Sequence, residues 1–371
     1  MATALTADID FLERQERARQ ILDTENIDLL LSTPGTNFRY LTGVTAHRME
    51  RLTAYVLPRR GPAFLICPAF EEDNMRRGLR DAEIVTWGES DDPFALLGEV
   101  VRARSDRKLS IGLEPTTWFW RAERVRGSVP ASRFQDAGTV FEALRARKSP
   151  GEMAWMRRSA AIAEEVACKG RLHLKEGMTE LEAADVLVDL ARRSGAELEA
   201  LVQFGPNSAI PHASAGSRTL KRDEMVLFDL GAILGGYFSD ITRMTCFGDA
   251  TKEMKDVYGI VYEAQQAAIA TARPGVSCQE VDQAARRVIT RAGYGDYFTH
   301  RTGHGLGMDI HEEPYLVDGN ERTLEVGNVV TIEPGIYLPG RFGVRIEDDV
   351  LITENGAEVF SGGQPALIET P

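Results

Sequence analysis

Residues 224–247 read EMVLFDLGAILGGYFSDITRMTCF: two apolar β-rich runs meet at a glycine pair, and each carries an aspartate. Strands this apolar must be covered on folding, while Asp229 and Asp240 within them need a compensating charge, because unpaired buried charge is costly. A two-residue loop at Leu234-Gly235 pairs Ile233 with Gly236 and sets Asp229 opposite Asp240, where facing Cβ atoms lie about 4.5–5.5 Å apart. A turn one residue later, at Gly235-Gly236, leaves both aspartates on one face as diagonal neighbours. A three-residue loop separates them.

Residues 328–353, NVVTIEPGIYLPGRFGVRIEDDVLIT, repeat the arrangement. A three-residue loop Pro339-Gly340-Arg341 pairs Leu338 with Phe342 and sets Glu333 opposite Glu347. Like charges facing each other destabilise a sheet and raise one pKa unless something positive lies between them. Each pair alone reads more readily as a solvated sheet face. Four acids in two matching apolar hairpins point instead to a divalent metal.

Around these hairpins the chain reads as two domains, 8–147 and 148–371. The first alternates helix and strand patterns: DFLERQERARQILDTEN is an amphipathic helix, IDLLLST a buried strand, AYVLP and AFLICP a strand pair, and DPFALLGEVVRARS a helix. That is an α/β domain. The charged stretch EALRARK then reads as a linker before Ser149-Pro150, which caps and opens a long helix. The second domain carries helical patterns at GEMAWMRRSAAIAEEVACKGRL, TELEAADVLVDLARRSG and EMKDVYGIVYEAQQAAIATA. With the two hairpins they give an α+β domain whose antiparallel sheet is packed by helices on one face.

Composition narrows the function. A formal charge of −13 excludes a nucleic-acid binder or a protein held to an anionic membrane. No apolar run reaches the ~20 residues that span a bilayer, and the N-terminus lacks the pattern of a secretion signal, so a cytoplasmic protein is expected. Cys67, Cys168, Cys246 and Cys278 are scattered without CxxC spacing and read as buried thiols.

Three histidines fall within HRTGHGLGMDIHEEP, residues 300–314. His300 and His304 have the spacing of an HExxH helix, but Gly303, Gly305 and Gly307 make a poor helix and no glutamate follows His300. The segment reads as a strand or loop that carries His304 to the acids. One imidazole with four carboxylates suits two Mn²⁺ or Co²⁺ ions, with Zn²⁺ and Fe²⁺ as alternatives, in a hydrolytic two-metal arrangement. His212 lies in the turn-rich loop FGPNSAIPHASAG and reads as a site residue, since loops carry function.

Asp229, Asp240, His304, Glu333 and Glu347, in the contexts FDLGAILGGYFSDITR, GHGLGMDIHEEP, IEPGIY and RIEDD, resemble the metallopeptidase family of Xaa-Pro dipeptidase, Xaa-Pro aminopeptidase and methionine aminopeptidase. The resemblance covers about residues 150–365 and implies a pita-bread catalytic domain. A weaker likeness marks the preceding domain as creatinase-type. It further implies that Asp229 chelates one metal, Asp240 and Glu347 bridge two, and His304 and Glu333 complete the second. Glu333 would shuttle the proton of the attacking water. The matches at His212, His300, His311 and Arg345 belong to proline-specific members, so these residues join the expected catalytic set. Arg345 reads equally as a holder of the substrate carboxylate and as an ion-pair partner of the acids. Tyr237, Phe204 and Tyr337 read equally as walls of a proline pocket and as core. The expected function is metal-dependent hydrolysis of Xaa-Pro dipeptides by a homodimer. Alternatives are an Xaa-Pro aminopeptidase on longer peptides, a hydrolase of a non-peptide amide such as ectoine, or a metal-free binding relative.

Overall fold

The computed structural model describes residues 9–371 apart from residues 80, 106 and 130. The chain divides into two compact units, Ile9–Arg145 and Ala146–Pro371. In the first, helices and strands alternate: α1 (Phe11–Thr24), β1 (Leu29–Ser32), α2 (Thr36–Thr42), β2 (Ala54–Pro58), β3 (Ala63–Pro68), α3 (Glu72–Gly78), β4 (Ala82–Trp87), α4 (Pro93–Arg104), β5 (Leu109–Leu113), α5 (Phe119–Ser128), β6 (Ala131–Asp136) and α6 (Gly138–Ala146). Asp10 and Asp92 start α1 and α4 by accepting hydrogen bonds from backbone N–H groups of the first turn. The strands form one sheet in the order β4-β3-β2-β1-β5-β6. AYVLP and AFLICP pair antiparallel within it, as β2 and β3.

The stretch expected to be a linker is structured. Its EALRA portion is the end of α6, Arg147 bridges to Asn328, and Lys148 is buried in an ion pair with Glu312 at 3.1 Å. Its three basic side chains, Arg145, Arg147 and Lys148, have partners within the fold, which a reading of charge density alone does not reveal.

The second unit opens with α7 (Pro150–Gly170), started by a reciprocal capping box between Ser149 and Glu152, and α8 (Glu180–Arg193), started by the equivalent box of Thr179 and Glu182. There follow β7 (Glu197–Phe204), β8 (Glu224–Leu234), β9 (Tyr237–Phe247), α9 (Lys252–Thr271), α10 (Cys278–Arg291), β10 (Gly303–Gly305), β11 (Glu312–Leu316), β12 (Val329–Ile332), β13 (Gly335–Leu338), β14 (Phe342–Arg345), β15 (Asp348–Thr353), β16 (Gly356–Val359) and β17 (Ile368–Thr370). They form three sheets, β17-β9-β8-β7, β11-β10-β12-β15-β16 and the ribbon β13-β14.

Strand alternation sorts β8 into two sets. Val226, Phe228, Leu230 and Ala232 pack with Ala163, Val166 and Leu187 of α7 and α8. Met225 and Leu227 face the other way, into a second core with Val257, Val261, Val281 and Ala285 of α9 and α10. Asp229 and Gly231 continue this second set along the same face, because the side-chain period of a strand is two. Helices thus cover both faces of this sheet rather than the one expected: the α7–α8 face anchors it, and the face that meets α9 and α10 also delivers the acids.

The β8–β9 turn falls at Gly235-Gly236, with φ of 62° and 85°, so Leu234 pairs with Tyr237, Gly231 with Asp240 and Asp229 with Thr242. The directly opposed pairing of Asp229 and Asp240 is thus replaced by the diagonal one. Two-residue hairpin turns favour positive φ at their central positions, which two glycines accept and a leucine resists. In the second hairpin the loop Pro339-Gly340-Arg341 pairs Leu338 with Phe342. Its register, Gly335 with Arg345, continues beyond Glu333 and Glu347 as Ile332 with Asp348.

Leu230→Ala removes a fully buried side chain between the sheet and α7–α8. A loss of about 2–5 kcal/mol is expected in denaturant unfolding, against about 1 kcal/mol for Ser149→Ala at the cap of α7.

Candidate metal and substrate site

All nine residues expected to ligate metal or to act in catalysis line one cavity of about 650 Å³: Asp229, Asp240, His304, Glu333, Glu347, His212, His300, His311 and Arg345. Ligand-type atoms of Asp240, His304 and Glu347 lie within 4.8 Å of one another, and all three residues are buried. His304 Nε2 is 3.4 Å from Glu333 Oε1 and 3.7 Å from Asp240 Oδ2.

His304 comes from the three-residue strand β10, held between β11 and β12. A Cβ at Gly303 would lie 1.9 Å from the Thr331 carbonyl oxygen, so only glycine lets the strand approach this closely. The His304 N–H donates to Thr331 Oγ1 at 3.1 Å, and its ring Nδ1 lies 3.0 Å from the Gly305 carbonyl oxygen. Donation from Nδ1 to that carbonyl leaves the Nε2 lone pair facing the acids, the tautomer a metal ligand needs.

Several groups not singled out from the sequence hold the acids in place. Thr242 Oγ1 donates to Glu347 Oε2 at 2.6 Å and accepts from Arg345 Nε at 3.0 Å. The Asp240 N–H donates to the buried carboxylate of Asp349 at 3.0 Å. On α10, Asp282 accepts from the N–H and hydroxyl of Thr302, while Arg286 pairs with Asp282 and donates to the carbonyls of Phe298 and His300. This helix, absent from the sequence reading, fixes the segment leading to His304. An i, i+4 Asp–Arg pair was its visible signal.

Arg345 is buried, pairs with Asp229, and donates to Thr242, to the Pro211 carbonyl at 3.2 Å and to Tyr337 Oη at 3.1 Å. Of its two readings the geometry realises the ion pair. Tyr337 Oη lies 2.8 Å from His300 Nε2, and His300 Nδ1 lies 2.7 Å from the Arg301 carbonyl oxygen. The hydrogens then run one way: Arg345 donates to Tyr337, Tyr337 to His300, and His300 to the carbonyl. The ring of His311 meets that of His304 edge-on, with centroids 4.3 Å apart. Of the aromatic residues considered as walls, Phe204 is core, Tyr237 hydrogen-bonds Glu152, and Tyr337 sits in the relay just described. The lining is completed by Glu199, Ala200, Leu201, Gly231, Arg301 and Ile310, none of them singled out from the sequence.

Sequence profiles agree with this geometry. The metallopeptidase family M24 profile matches residues 154–354, and the creatinase/prolidase N-terminal domain profile matches residues 14–147. The chain belongs to the metallopeptidase family M24. Among curated proteins, this M24 peptidase is 37% identical over 343 residues to an uncharacterized peptidase of Staphylococcus aureus, covering 92% of this chain and 96% of that one. Among solved structures, a prolidase from Thermococcus sibiricus matches with a TM-score of 0.91 and 33% identity, covering 98% of this chain and 100% of that one. An X-Pro aminopeptidase from Thermotoga maritima matches with a TM-score of 0.86 and 29% identity over 96% and 99%. The second unit of the M24 peptidase has the pita-bread fold of the prolidases, and the first is a creatinase-type domain.

The donor set of the M24 peptidase fits a divalent metal. Burial, with added repulsion from neighbouring carboxylates, pushes Asp240 and Glu347 well above the usual carboxylate range. Burial likewise lifts Glu333 to about 7, against the opposing pull of Arg345. Burial lowers His304 to about 3, with His311 adding to the effect, so its imidazole stays neutral and free to ligate. Acids this crowded need protons or a cation between them.

In the metal-free protein these carboxyls keep protons at pH values where the unfolded chain has lost them. Their contribution to folded stability therefore falls as pH rises from the ordinary carboxylate range through about 7, while the imidazoles of His300 and His304, held neutral by burial, contribute in the opposite sense up to the ordinary histidine range. A bound divalent cation takes the place of those protons. Thermal melts between roughly pH 5 and 7.5 should show the Tm gain on adding Mn²⁺ growing as pH rises, because the cation displaces fewer protons from the carboxyls at the upper end. A gain independent of pH would rule out this linkage.

Proposed function

We propose that this M24 peptidase is a divalent-metal-dependent dipeptidase that hydrolyses Xaa-Pro bonds. The observation that carries the proposal is the convergence of five candidate ligands with His212, His300, His311 and Arg345 in one small-molecule-sized cavity. The likeness to a prolidase along nearly the whole chain supports it.

Asp229, Asp240, His304, Glu333 and Glu347 would hold two divalent ions, Mn²⁺ first among the candidates. Such ions polarise the scissile carbonyl and lower the pKa of water. Glu333 would take a proton from the attacking water and return it toward the leaving proline nitrogen. His311 and His212, both solvent-accessible in the cavity, donate to the oxygen on which negative charge develops. His300 is held neutral and engaged with Tyr337, which makes it a positioning residue. Arg345 steadies Asp229. Proline has no N–H and a fixed φ, so peptidases that bind substrate as an extended strand handle it poorly, and a dedicated cavity is needed.

Protein stripped by chelator and reloaded with Mn²⁺ should cleave an Xaa-Pro dipeptide and leave an Xaa-Pro-Yaa tripeptide nearly untouched. Preference for the tripeptide would favour the aminopeptidase reading, which the likeness to the Thermotoga maritima X-Pro aminopeptidase supports. Cleavage of neither would favour a non-peptide amide. Glu333→Ala should lower kcat by roughly 10²-fold or more, and wild-type turnover in this variant would remove Glu333 from its role.

A further inference from the structure

We infer that Arg301 grips the free carboxylate of the substrate's C-terminal residue, a specificity assignment that rests on the dipeptidase reading. The cavity carries five acidic side chains, Glu199, Asp229, Asp240, Glu333 and Glu347, and two guanidinium groups, Arg301 and Arg345. A peptide carboxylate entering it is repelled by the acids and attracted by the two cations. Arg345 is already committed to Asp229, Thr242, Pro211 and Tyr337. Arg301 is not: among the described residues its guanidinium makes no hydrogen bond and no ion pair, and it lies over the Tyr315 ring at 4.3 Å from the centroid.

Stacking of this kind leaves the N–H groups in the guanidinium plane free, and a planar fork presents paired donors that match a carboxylate. Tyr315 is the cross-strand partner of His304, so the stack stands directly beside the candidate metal ligand. The backbone at Arg301 is fixed as well. Its carbonyl accepts from His300, the neighbouring His300 carbonyl accepts from Arg286, and Thr302 is bonded to Asp282. A half-buried cation with a stacked plane, a braced backbone and unused donors is organised for an anion that arrives with the substrate. In a dipeptide that anion is the terminal carboxylate, which an internal proline lacks.

The test compares an Xaa-Pro dipeptide with its C-terminal amide, using Mn²⁺-loaded wild type, Arg301→Ala and Arg301→Lys, each checked for metal content and Tm. Wild type should prefer the free acid by roughly 30-fold or more in kcat/KM, the scale of losing one partner of a desolvated charge pair. Arg301→Ala should lose that preference through a raised KM for the acid, with the amide little changed, and Arg301→Lys should retain part of it. Should the alanine variant fail to fold, Arg301→Gln carries the same comparison. A wild type indifferent to amidation, or a folded variant that keeps the full preference or loses acid and amide alike, overturns the assignment. If wild type cleaves neither substrate, the dipeptidase reading itself falls and takes this inference with it.

Discussion

Carboxylates gathered out of water repel one another, and two unit charges 4 Å apart at an effective dielectric near 20 do so by about 4 kcal/mol. Every element around the cavity of this M24 peptidase serves to impose that proximity. Two apolar cores hold the β8–β9 hairpin, one through α7 and α8 and the other through α9 and α10. β10 is thinned to glycine on both sides of His304 so that an imidazole reaches the acids. Thr242, Asp349 and Arg345 fix the carboxylates by hydrogen bonds and charge. The site is therefore a strained electrostatic arrangement held open by packing, and a divalent cation is the natural way to relax it.

Much of this was legible in the sequence because short-range rules govern it. Strand alternation and loop length assigned the second hairpin its register, and the glycines around His304 excluded the helix that HxxxH spacing suggests. In the first hairpin, of the registers the pattern allows, the structure takes the Gly235-Gly236 turn with the aspartates diagonal rather than the directly opposed one. Apolar patterning does not distinguish Leu234-Gly235 from Gly235-Gly236, whereas backbone sterics at Leu234 do. The α/β alternation of the N-terminal unit was also readable, since strand and helix periods differ there within short windows.

What could not be read depends on partners distant in the chain. Asp282 and Arg286 look like an ordinary surface ion pair until the fold lays residues 298–302 across them. Arg345 and Arg301 are both arginines near ligand positions. Only tertiary structure reveals that one has its donors taken up and the other does not. Tyr237 and Tyr337 are close to candidate ligands in sequence and Phe204 to His212, yet each turns to core or to a polar partner. Lys148, in a stretch that reads as a linker, finds Glu312 across 164 positions of chain.

The relay from Arg345 through Tyr337 to His300 has a consequence for how the cavity responds to its surroundings. Burial raises the Tyr337 phenol to about 12 and lowers the His300 imidazole to about 3. Over the whole physiological range, then, neither member gains or loses a proton. The wall they form behaves as an electrically inert strut beside a centre whose own acids trade protons for cations. Changes of pH within that range alter the charge of the centre without changing the protonation of this wall.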